Sequence, residues 1–178
     1  AKCRPYILIE SIREPLSLKN IEQVIMKDNP DLIVDCIDDL NAKAELFKFC
    51  YLKKIKLFSS MGAAGKCDPT TIRYKKFSDI NDEVLARKLR LEIRKKMKNL
   101  DKTENGKNVN KFLLPDFDCI YSCEKVEREL AELTEEQKQE MEKNKGKCNQ
   151  RIRSLPVFAC MPSTFGTCLS GISISLSN

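Results

Sequence analysis

Three carboxylates close one segment of this chain: Asp35, Asp38 and Asp39 end the run DLIVDCIDD, Asp31 to Asp39. Its apolar part reads as a buried strand. In open α/β sheets ligands bind beyond the carboxyl ends of the strands. A carboxylate placed there can hold Mg²⁺ against nucleotide phosphates, because Mg²⁺ takes one or two carboxylates and completes its shell with phosphate or water. The same spacing suits a helix cap made by Asp38 or Asp39, so both roles stay open. A second segment, SSMGAAGKCDPT from Ser59 to Thr70, also follows a strand-like run. Gly62 lets backbone approach a ligand closely, with Ala63 beside it in the same small-residue loop and Lys66 placed to neutralise phosphate. A plain turn fits that loop equally well. A third segment, Asp82 to Lys98, is a basic helix carrying Arg87, Lys88, Arg90, Arg94 and Lys95. Such a flank can bind backbone phosphate, which gives affinity but reads little sequence. The alternative is an ordinary solvated face.

The elements that position these residues follow from hydrophobic periodicity. Short apolar runs predict strands at Tyr6–Ile9, Leu32–Cys36 and Ile55–Phe58, with helices at Ser17–Met26 and Leu40–Leu52 between them. Strands alternating with helices imply a parallel sheet. The expected fold is α/β, a Rossmann-like, mostly parallel sheet with helices on both faces. In the basic helix, Leu85, Leu89, Ile93 and Met97 form the inward stripe. Residues 99–111 are rich in Lys, Asn, Asp and Gly and read as a flexible insertion. Beyond it the pattern predicts a strand at Asp118–Ser122, a charged helix at Glu124–Lys147, a strand at Arg151–Phe158 and a closing helix at Thr164–Leu176. The chain is expected to be one partial domain over 1–178, with a second, charged helical insertion at 124–150.

Composition narrows the chemistry. The 178 residues include 32 basic and 26 acidic side chains, a formal charge of +6, and no histidine. A Ser-His-Asp triad or a Cys-His pair is therefore excluded within this chain. The nine cysteines are odd in number, irregularly spaced and without a CxxC pair. That favours reduced thiols over a disulfide framework and against a zinc site, and an intracellular setting, cytoplasmic or at an organelle surface. The uncharged stretch from Ser154 to Asn178 is broken by Pro156, Pro162, Gly166 and Gly171, so it is expected to pack within the fold rather than span a membrane.

Taken in order, DLIVDCIDDLNAKAELFKFC, SSMGAAGKCDPTTIR, DEVLARKLRLEIRKK, CIYSCE and LPVFACMPSTFG resemble the tRNA threonylcarbamoyladenosine dehydratases. These belong to the superfamily of the thiamine- and molybdopterin-pathway adenylyltransferases and the ubiquitin-activating enzymes. The resemblance implies the carboxyl-terminal two-thirds of an enzyme that uses ATP and Mg²⁺ to adenylate a threonine carboxylate on tRNA and then closes the ring with loss of AMP. By that likeness Asp38 matches the magnesium- and phosphate-associated aspartate, and Lys43 a basic residue on the helix after it. Gly62 and Ala63 fall to the nucleotide, the basic helix to tRNA, and a homodimer is implied. The superfamily's GxGGxGS nucleotide loop does not occur in this sequence, so the rest of a longer polypeptide or a second chain is expected to complete the site. Two other readings stay open: activation of a ubiquitin-like or sulfur-carrier protein, and a non-catalytic module that binds RNA or protein.

Overall fold

A computed structural model describes residues 8–98, 116–126, 134–143 and 157–176. Four strands form one sheet: β1 (Leu32–Asp35), β2 (Lys56–Ser60), β3 (Ile72–Lys76) and β4 (Asp118–Ser122). Their order is β1-β2-β4-β3, with β1, β2 and β4 parallel and β3 antiparallel to β4. The α/β architecture with a mostly parallel sheet stands as expected. The helices are α1 (Ile21–Met26), α2 (Leu40–Lys53), α3 (Val84–Lys98), α4 (Glu135–Lys143) and α5 (Cys160–Leu176).

Alternation along the strands divides the side chains between two cores. Leu57, Cys119 and Tyr121 face the layer formed by α2 and α3, where Phe47, Phe77, Leu89 and Ile93 are wholly buried. Phe58 and Ile120 face α5, which supplies Met161, Phe165 and Leu169. Phe47 meets Phe77 and Phe117 edge to face at 5.0 and 5.4 Å. Such pairs add about 0.5–1.5 kcal/mol beyond the area they bury.

Local chemistry sets the helix ends. Asp39 caps α2 by accepting the Ala42 N–H at 2.8 Å, and Lys54 ends it in the left-handed conformation, φ 58°. Glu83 caps α3, its Oε2 accepting the Ala86 N–H at 2.6 Å. On α5 the hydroxyls of Ser163, Thr164, Thr167 and Ser170 bond carbonyls four residues back. This lets an uncharged helix carry mostly exposed hydroxyls while Met161, Phe165 and Leu169 face the sheet. Among the described residues no helix is long and apolar enough to cross a membrane.

Several expected elements change. Leu8 and Ile9 belong to no strand and are 94% and 66% exposed, so their apolar character does not mark a buried ladder. The first helix begins at Ile21 because Ser17 and Asn20 build a turn instead, the Ser17 N–H bonding Asn20 Oδ1 at 2.8 Å. Glu124 lies outside any helix, since its carboxylate is drawn to the loop after β2. The charged helix is described over Glu135–Lys143. Val157 and Phe158 are not in a strand, and the rest of the expected strand at 151–158 lies outside the described residues, as does the insertion at 99–111. The antiparallel strand β3 was not expected; its sequence, IRYKK, has a largely exposed, lysine-bearing character suited to a sheet edge.

Candidate functional site: a cavity at the carboxyl ends of the parallel strands

The β1–α2 loop, the loop after β2, the start of α3 and the segment after β4 meet around a cavity of about 630 Å³. It lies where a parallel sheet offers its ligand crevice. Asp38, Gly62 and Lys66 line it together with Arg87 and Lys88 of α3. Three segments remote in sequence therefore converge. Val84, Leu85, Val126 and Val157 supply an apolar wall.

Subtracting the internal bonds shows which polar groups are left for a ligand. Lys66 is 4% exposed and is spent on the protein: its Nζ donates to Gly62 O at 2.8 Å and Ser122 O at 3.1 Å and stands 3.5 Å from Glu83 Oε1. Burial lowers its pKa, and the Glu83 carboxylate opposes that shift. It is thus a strut between two strand ends and α3 rather than a free phosphate ligand. Glu124 accepts the Cys67 and Asp68 N–H groups, each at 2.9 Å through Oε2. Those backbone bonds hold its carboxyl below the ordinary range. Gly65, at φ +77°, sits under Val126, where an added Cβ would come 2.7 Å from Cγ1. The side chains of Asp38, Asp82, Arg87, Lys88 and Lys125 make no hydrogen bond or ion pair among the described residues. These five charges are the ones available to a ligand.

The other expected site residues are placed elsewhere. Lys43 is wholly buried behind the cavity, 2.5 Å from Asp35 Oδ2, and cannot touch a substrate there. Ala63 packs toward the α5 core, leaving Gly62 and Ala64 to line the cavity. Arg90 turns back onto the body: Nη2 donates to Phe77 O at 3.0 Å and also to Ile80 O, and the guanidinium lies over the Phe77 ring. Its neighbours on the helix face outward. Among the described residues Arg94 is exposed and without an ion pair, whereas Lys95 is exposed but paired with Glu92 at 3.2 Å. The sequence reading missed Asp82, Glu83 and Glu124. A capping signal before α3 could have found Glu83; nothing in the local pattern pointed Glu124 at the loop 56–57 residues before it.

The donor set fits a metal that arrives with phosphate. Among the described residues no three His, Cys, Asp or Glu side chains come together; Asp38 and Asp82, both exposed, are the cavity carboxylates not used by internal bonds, and Mg²⁺ on a nucleotide would take one or two. No disulfide joins the described cysteines. Burial pushes Cys50 up to about 12 and Cys119 higher still, so neither is a nucleophile.

Known proteins resemble this chain. Residues 1–99, more than half of the chain, match the ThiF family. A tRNA threonylcarbamoyladenosine dehydratase 2 of Saccharomyces cerevisiae is 32% identical over 170 residues, 91% of this chain and 34% of that protein. The Bacillus subtilis tRNA threonylcarbamoyladenosine dehydratase is 37% identical over 65 residues, 36% of this chain and 26% of its own. A crystal structure of the Escherichia coli enzyme, TcdA, superposes with a TM-score of 0.61 over 93% of this chain and 57% of that one, at 21% identity. The same enzyme in complex with ATP matches 65% of this chain at 29% identity and a TM-score of 0.50. The chain spans about a third of the yeast relative and 57% of the Escherichia coli structure. With its parallel sheet, its strand-end cavity and this match, the chain belongs to the ThiF family.

Proposed function

We propose that this chain is part of an ATP-dependent tRNA threonylcarbamoyladenosine dehydratase. The observation that carries the reading is the cavity itself, lined at the strand ends by the free carboxylate of Asp38 and the free cations Arg87 and Lys88. ATP bound with Mg²⁺ would supply an activated phosphorus: the threonine carboxylate attacks it, pyrophosphate leaves, and ring closure then expels AMP. The complex of the Escherichia coli relative with ATP supports nucleotide binding in this fold.

The residues here have separate tasks. Asp38 would hold the ion that draws charge from the phosphate oxygens, an electrostatic contribution preorganised by the loop. The Gly62 backbone gives the nucleotide close approach. Arg87 and Lys88 line both the cavity and the outer flank of α3, and Arg94 continues that flank. A polyanion following the helix is thereby led toward the reacting group.

Pyrophosphate release from ATP by the complete polypeptide tests the reading. Release that depends on threonylcarbamoyl-tRNA is expected. Release driven instead by a ubiquitin-like or sulfur-carrier protein moves the assignment to protein activation, and silence with every substrate leaves a non-catalytic binding module.

A further inference from the structure

Behind the cavity lies a polar cluster that the proposed chemistry does not touch. Asp35, Lys43 and Ser59 are at most 1% exposed. Asp35 Oδ2 accepts from Lys43 Nζ at 2.5 Å and from Ser59 Oγ at 2.6 Å, and Lys43 Nζ also donates to Ser59 Oγ at 3.1 Å. The three residues come from the end of β1, the first turn of α2 and the adjoining strand β2. The other oxygen, Asp35 Oδ1, accepts the Ile37 N–H at 2.9 Å.

We propose that Asp35, Lys43 and Ser59 form a brace that positions Asp38, and that Lys43 serves the site only through it. Only residues 36–38 separate Asp35 from Asp39, the cap of α2. Asp35 turns the chain at one end of this loop and Asp39 fixes the other. Side chains on a helix lean toward its amino terminus, so Lys43 reaches back past that cap to Asp35 and ties the two ends together. Ser59 locks the pair to β2. Apolar side chains of similar volume usually stabilise a core at least as well as a buried ion pair. What the charged cluster adds is direction: it fixes the loop's entry, exit and turn at once. Asp38 is left unbonded and exposed on a loop that cannot drift. The brace rests on the proposed function only for what Asp38 then does.

The double variant Asp35→Asn/Lys43→Met, made in the complete polypeptide, separates the brace from plain stability. It leaves no buried charge, and the amide that replaces the Asp35 carboxylate can still accept from Ile37 and donate to Ser59. Amide exchange at residues 36–39 is expected to quicken about tenfold while α3 changes less than about twofold. The Mg²⁺-dependent part of ATP affinity is expected to fall by about tenfold or more, the range for losing a partner that orients a metal ligand, with metal-free ATP affinity unchanged. Unaltered exchange at 36–39 in the folded variant overturns the proposal. If the double variant fails to fold, Ser59→Ala decides, since it removes one strut and keeps the ion pair: a rise confined to 36–39 supports the brace, and none overturns it. A complete polypeptide that binds no ATP would sink the functional reading, while the exchange result would still settle the brace.

Discussion

Lys66 Nζ and Glu83 Oε1 stand 3.5 Å apart with 4% and 5% of their side chains exposed, so a buried ion pair ties the loop after β2 to the first turn of α3. Both partners have further bonds: Lys66 to two carbonyls and Glu83 to the Ala86 N–H. Removing one partner leaves the other charge in a nearly dry site. Lys66→Met is therefore expected to cost about 3–5 kcal/mol of stability, read as a lower denaturant midpoint. A surface phosphate ligand would instead lose nucleotide affinity with its stability intact.

The basic helix divides into residues that hold the fold and residues that face out. Arg87→Ala and Lys88→Ala are expected to leave the melting temperature unchanged and to weaken RNA binding equally for all sequences. Each should reduce the slope of log affinity against log salt by about one. Arg90→Ala is expected to cost about 1–3 kcal/mol through its lost carbonyl bonds and its contact with Phe77. Salt titrations beside thermal melts separate the two behaviours.

Gly65 joins a positive φ of 77° to direct contact with Val126. Gly65→Ala meets both obstacles, and a destabilisation of about 1–3 kcal/mol is expected. Adding Val126→Ala relieves the clash and leaves the backbone strain, so the pair should recover only part of the loss. Complete recovery in a double-mutant cycle would show that the strain is negligible.

Glu124 makes the cavity's edge sensitive to acid. Its carboxyl is held below the ordinary value first by the Asp68 N–H, then by the bonds from Cys67. A depressed folded pKa means that the group's contribution is complete above its unfolded value and is lost as pH falls through the folded one. The amides of Cys67 and Asp68 should keep their protection at neutral pH and lose it as the carboxyl protonates below its usual range. In Glu124→Gln that acid step should disappear from the exchange profile.

The parts of the fold that were legible in the sequence are those where local pattern and burial agree. The apolar stripe of α3 was plain because Leu89, Ile93 and Met97 are buried at helical spacing. The run 32–36 read as a strand because its β-branched residues sit in a parallel ladder. The edge strand β3 was hidden by its lysines and arginine, and exposed Leu8 and Ile9 imitated a buried strand. At the site, Asp38, Gly62, Arg87 and Lys88, which line one cavity, were visible because their types stand out from the apolar runs beside them. Lys43, Lys66 and Arg90 were visible for the same reason, yet Lys66 and Arg90 are consumed by partners 4 to 56 residues away and Lys43 by a buried carboxylate on the preceding strand. Sequence spacing records which charges exist; pairing across the fold decides which remain free.

The most direct test of the account is AMP formation from ATP and threonylcarbamoyl-tRNA by the complete polypeptide, wild type against Asp38→Ala. Asp38 is exposed and has no partner among the described residues, so the variant should melt with the wild type. Its rate should fall by about 100-fold or more, as when a charge-stabilising group is removed. Equal rates for the two proteins would contradict the assignment of the cavity.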